Sequence, residues 1–136
     1  VAASTVGKHV LIVDDDRAVL KLVEQWLTGA GYSVVACDRF ETAKQQLART
    51  TPDVLLVDVR LGQFNGLQLV ILAKERGLHT IVLVMSAFDD PLLHREAVAC
   101  GARYLTKPFT REQVLVALSA VSGGSRNAAM ETESVK

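Results

Sequence analysis

The segment HVLIVDDDRAVL, residues 9 to 20, runs a short strand-like stretch into three consecutive aspartates, Asp14, Asp15 and Asp16, with Arg17 beside them. Carboxylates this close repel and raise one another's pKa unless a cation sits among them. Farther along, Asp58 follows the run DVLLV, Ser86 follows TIVLVM, and Lys107 follows ARYLT. Brought together, Asp14, Asp15 and Asp58 carry three negative charges and Lys107 returns one positive, which leaves two for a divalent cation to neutralise. Oxygen-only ligands, few in number and with room for water, favour Mg²⁺. A hydroxyl and an ammonium beside a metal-bound carboxylate suit phosphoryl transfer, in which positioning and charge neutralisation supply nearly all the catalysis.

The elements must then bring these residues to one place. Strand-like runs occupy 9–13, 33–37, 53–57, 80–85 and 102–106. Helical periodicity fills the gaps: Val19, Leu22, Val23, Trp26 and Leu27 recur on one face, and Val114, Ala117, Leu118 and Val121 repeat the register. Asp90 before Pro91 predicts a helix start, Thr110 with Gln113 a capping box, and Asp38 with Glu41 another cap; Gly31, Gly77 and Gly101 predict helix stops. Strictly alternating strands and helices, with strands too uniformly apolar for a wet face, predict a doubly wound α/β fold with a parallel sheet and right-handed crossovers. Ligand sites in such sheets lie beyond the carboxyl ends of the strands. Asp14, Asp15, Asp58, Ser86 and Lys107 all fall at those ends.

Composition excludes several alternatives. The 136 residues suit one domain, and 49% hydrophobic content is enough for a packed core. Fifteen basic and fifteen acidic side chains balance, so no net charge draws the chain to nucleic acid or an anionic membrane. Cys37 and Cys100 form no CxxC or Cys/His cluster, which argues against zinc or a disulfide framework and for a reducing, cytoplasmic setting. No apolar run approaches the ~18 residues of a membrane span, and VAASTVGKH lacks signal-peptide order. His9, His79 and His94 show no ligand spacing and receive no role.

LIVDDD, PDVLLVDVRL, VMSA and YLTKPF, in this order and spacing, resemble the receiver domain of two-component response regulators over residues 8 to about 122. The resemblance implies a flavodoxin-like fold of five helices around a five-stranded sheet of order 2-1-3-4-5. It implies Asp58 as phosphoacceptor, charged by a histidine kinase or phosphotransfer protein, with Lys107 pairing with the phosphoryl oxygens and Ser86 hydrogen-bonding to one of them. Mg²⁺ would be bound by Asp15, Asp58 and the backbone carbonyl of Arg60, with Asp14 acting through a water. Tyr104 would report phosphorylation by turning inward as Ser86 moves, reshaping the surface of the fourth helix, fifth strand and fifth helix for an unknown output partner or effector domain. The chain would catalyse only its own phosphotransfer and slow autodephosphorylation. A phosphorylation-dependent dimer is compatible with this reading, and direct binding of nucleic acid or membrane by this chain is not expected.

Singly, each residue has an ordinary explanation: DDD before a helix as capping, with Asp16 or Asp15 the cap, Lys107 as a solvated loop lysine, Ser86 as a turn hydroxyl, Tyr104 as core. Their convergence on one sheet edge argues otherwise. The family usually has proline four residues after the phosphoacceptor, where this chain has Gly62, so RLGQFNG is expected to be looser. Arg60 and Phe88 flank the site without good water-orienting acceptors, which predicts a long-lived phosphorylated state. Residues 1–7 are expected to be an N-terminal extension, 8–122 the receiver, and 123–136 a linker or disordered tail. Two alternatives stand beside this: a small Mg²⁺-dependent phosphohydrolase of haloacid-dehalogenase type, with Asp14 as nucleophile and Asp16 as acid, and a non-phosphorylated interaction module.

Overall fold

The computed structural model describes residues 8–76, 79–87 and 91–122, with side chains described through Ser119. The expected extension 1–7, the tail 123–136, the stop at Gly77 and the cap at Asp90 lie outside the described residues, as does Phe88. In chain order the elements are β1 (His9–Val13), α1 (Arg17–Gly29), β2 (Ser33–Cys37), α2 (Phe40–Arg49), β3 (Val54–Asp58), β4 (Arg60–Leu61), β5 (Phe64–Asn65), α3 (Leu67–Glu75), β6 (Ile81–Ser86), α4 (Pro91–Ala99), β7 (Arg103–Thr106) and α5 (Arg111–Ser122).

Five strands form a parallel sheet in the order β2-β1-β3-β6-β7, which is the predicted 2-1-3-4-5 once the short β4 and β5 are set aside. The three central strands are apolar because both their faces are covered, and the period of two along each strand divides the core. Leu11, Val13, Leu55, Val57, Val82 and Val84 pack with Ala43 and Leu47 of α2, Leu69 and Val70 of α3 and Ala97 of α4. Val10, Ile12, Val54, Leu56, Leu83 and Met85 pack with Leu20, Val23 and Leu27 of α1 and Val114 and Leu118 of α5. The edge strands do have a wet side, contrary to the expectation of uniform burial: Val35 of β2 is 45% exposed.

Helix boundaries follow local chemistry. The Asp16 carboxylate accepts from the backbone N–H groups of Ala18 and Val19 and so caps α1. Thr110 and Gln113 form the reciprocal capping box at α5. Gly31 and Gly101 end their helices at positive φ. Asp38 is not a cap, because Arg39 holds the N-cap position of α2 with no side-chain bond, and Asp38 instead accepts from Arg17 Nε at 3.0 Å. The stripe of α1 also departs from expectation. It is centred on Leu20, Val23 and Leu27, and Leu22 is 46% exposed. At about 100° per residue Leu22 lies more than a right angle from the centre of that stripe.

Candidate functional site

The carboxyl ends of β1, β3, β6 and β7 carry the predicted residues to one edge of the sheet. Asp14 follows β1 and is fully buried, Asp58 ends β3 at 7% exposure, and Ser86 ends β6 and is buried. Lys107 follows β7, held there by its backbone N–H donating to the Ser86 carbonyl at 2.7 Å. Its Nζ lies 2.7 Å from Asp14 Oδ2 and 3.5 Å from Asp58 Oδ2. Asp15 is exposed, on the rim. One carboxylate oxygen from each of Asp14, Asp15 and Asp58 lies within 4.8 Å of the others, a donor set of hard oxygens only, which fits a small divalent cation.

The electrostatics follow from burial. Asp58 is pushed up to about 6, first by desolvation and then by the negative charge of Asp14, against which Lys107 and a hydrogen bond from the Arg60 backbone pull it down. Burial alone would lower the Lys107 ammonium. The hydrogen bond to Asp14 and the charges of Asp14 and Asp58 outweigh it, and the net shift is upward. The site thus holds a carboxylate that is mostly ionised at neutral pH in a surrounding that resists its charge. Such a group is disposed to accept an electrophile or a cation.

The loop after β3 contains a short hairpin that its sequence did not suggest. Arg60 pairs with Asn65 and Leu61 with Phe64 in the hairpin β4–β5. Gly62 takes φ +61° at the turn, and its N–H donates to Asp15 Oδ2 at 3.2 Å. Phe64 stacks on Phe40 at the start of α2, with ring centroids 4.5 Å apart and planes 11° apart. Gly66 was not singled out from the sequence. A Cβ there would collide with the Asp58 carbonyl oxygen, and its N–H donates to Val59 O at 2.6 Å, so a glycine sets how closely the hairpin returns to β3. The NG dipeptide was the available signal.

Tyr104 lies on β7 and is half-buried against His94 of α4; the rings are 4.8 Å apart and nearly parallel at 16°. His94, to which the sequence reading gave no role, therefore touches the predicted switch residue. The hydrolase alternative finds no support in the same geometry: Asp14 is buried against Lys107 and Asp16 is engaged as a helix cap.

The sequence profile of the response regulator receiver domain matches residues 10–119. The chain belongs to that family. Over 114 residues this receiver domain is 34% identical to the response regulator MprA of Mycobacterium leprae (strain TN), an alignment covering 83% of this chain and 50% of that protein. It is 27% identical over 128 residues to the alkaline phosphatase synthesis transcriptional regulatory protein PhoP of Bacillus subtilis (strain 168), covering 93% and 53%. The chain spans about half the length of these curated relatives. Among solved structures, the chemotaxis response regulator CheY4 of Vibrio cholerae superposes with a TM-score of 0.78 at 28% identity, covering 85% of this chain and 98% of that chain. The fold is accordingly flavodoxin-like. Among the described residues of the receiver no helix is long and apolar enough to cross a membrane.

Proposed function

We propose that residues 8–122 form a phosphorylation-dependent switch in which Asp58 accepts a phosphoryl group from the phosphohistidine of a histidine kinase or phosphotransfer protein. The observation that carries this reading is the position of the Asp58 carboxylate, at the end of β3, grouped with Asp14 and Asp15 and 3.5 Å from Lys107 Nζ. The bond between phosphorus and histidine nitrogen breaks as one forms to an Asp58 oxygen, and the imidazole leaves. Asp15, Asp58 and the Arg60 carbonyl would hold Mg²⁺, with Asp14 contributing through a water. When bound, the ion supplies the positive charge that this cluster lacks. The Lys107 ammonium is then available to the phosphoryl oxygens, and Ser86, buried at the end of β6, supplies a hydroxyl to one of them. Tyr104 transmits the change to the surface of α4, β7 and α5, where an output partner or effector domain reads it.

The test is intact mass of the full chain after incubation with Mg²⁺ and acetyl phosphate. Wild type gains one phosphoryl group, and Asp58→Asn gains none while remaining folded. A phosphoryl mass on Asp58→Asn would reassign the acceptor.

A further inference from the structure

Gly62 departs from the proline usual in the family at this place, and the structure gives the departure a use. A side chain at Gly62 would meet no heavy atom within 4 Å, so space is not what requires glycine there. Its φ of +61° and its N–H, which donates to Asp15 Oδ2 at 3.2 Å, are what distinguish it. Proline has no N–H and fixes φ near about −65°, so it supplies neither.

Asp15 has reason to need a tether. It is exposed, whereas the two carboxylates it must join, Asp14 and Asp58, are buried. Like charge repels Asp15 from them, and solvent offers it better hydration outside. The hairpin that carries the donor is itself fixed by the pairing of β4 with β5 and by the stack of Phe64 on Phe40. We propose that Gly62 is a positioning residue for the acidic site: its N–H holds the Asp15 carboxylate within the group it forms with Asp14 and Asp58, so that cation binding in this chain depends on a backbone donor that proline cannot provide. This rests on the reading of that group as a Mg²⁺ site.

The test is a titration of the full chain with MgCl₂, followed by backbone amide shifts. Gly62→Asn keeps the N–H and tolerates the left-handed turn, and should bind within twofold of wild type. Gly62→Pro, although it installs the family's usual residue, should bind roughly tenfold more weakly, the low end of what one hydrogen bond to a charged group is worth. Phe64→Ala loosens the hairpin that carries the donor without removing it, and should weaken binding clearly less than Gly62→Pro does. Asp15→Ala should speed hydrogen exchange at the Gly62 amide, a readout that does not need the proline variant to fold. Wild-type affinity in Gly62→Pro, equal weakening in Phe64→Ala, or unchanged exchange at Gly62 would each overturn the proposal. A wild type whose residue 14, 15 and 58 amides ignore Mg²⁺ would instead overturn the metal site itself, and this proposal with it.

Discussion

Lys107 rests on Asp14, 2.7 Å from its carboxylate, and only leans toward Asp58 at 3.5 Å. The fully buried Asp14 has the greater claim on the lysine, because a buried charge without a partner is costly. In the proposed mechanism the ammonium must serve the phosphoryl group on Asp58, and its position between the two carboxylates lets it do so by a small displacement. Lys107→Met removes the cation and leaves two facing carboxylates. The variant should lose about 2–4 kcal/mol of stability without metal, part of it regained in Mg²⁺, and urea denaturation with and without MgCl₂ measures both. An unchanged midpoint without metal would mean that the pair contributes nothing.

The raised pKa of Asp58 makes a prediction with a definite sign. Its folded value is about 6, above an unfolded value near about 3.9, so between these the folded state holds more protons than the unfolded one. Stability of the metal-free protein therefore falls as pH rises through that window, and the penalty is complete above it. Asp58→Asn removes the penalty. The variant should be more stable than wild type by about 2–3 kcal/mol at pH 7.5 and equal to it near pH 4. Paired denaturation curves at the two pH values check this, and a pH-independent difference would show that Asp58 is not the group responsible.

What was legible in the sequence, and what was not, divides by the range of the interaction. The ends of β1, β3, β6 and β7 were readable because strand periodicity stops where Asp14, Asp58, Ser86 and Lys107 begin, and parallel topology then sends those ends to one edge. The caps at Asp16 and Thr110 are local and were readable for that reason. Asp38 was misread because its partner, Arg17, is 21 residues away and competes with the cap. The hairpin β4–β5 escaped notice because two-residue strands carry no periodicity, and the tie from Gly62 to Asp15 spans 47 residues. Leu22 was misplaced because apolar residues adjoin one another along α1, Val19 beside Leu20 and Leu22 beside Val23, and the expected stripe took in Leu22 and left out Leu20, which faces the core with Val23 and Leu27.

Arg60 is exposed on β4 beside the proposed acceptor. Its guanidinium offers only donors and cannot orient an attacking water by accepting a proton from it. Arg60→Asn introduces an acceptor at that place, so loss of phosphate from Asp58 should quicken several-fold at saturating Mg²⁺, followed by intact mass over time. Equal decay in the two proteins would remove Arg60 from control of the lifetime.

His94 and Tyr104 give the last prediction. Their rings stack at 4.8 Å with Tyr104 half-buried on β7, so an inward turn of Tyr104 must first break that contact. An aromatic pair of this kind is worth about 0.5–1.5 kcal/mol, which weights the two orientations by roughly twofold to tenfold. His94→Ala should raise the population of the inward orientation before any phosphorylation, and His94→Phe should preserve the resting balance by keeping the stack. The chain has two tyrosines, and the other, Tyr32, is buried in the core, where it serves as an internal reference. With 3-fluorotyrosine incorporated, the Tyr104 fluorine resonance of His94→Ala should move toward its position in the beryllofluoride-treated wild type while that of Tyr32 stays put. A Tyr104 resonance indifferent to His94→Ala, in a protein that still responds to beryllofluoride, would show that the stack does not govern the switch.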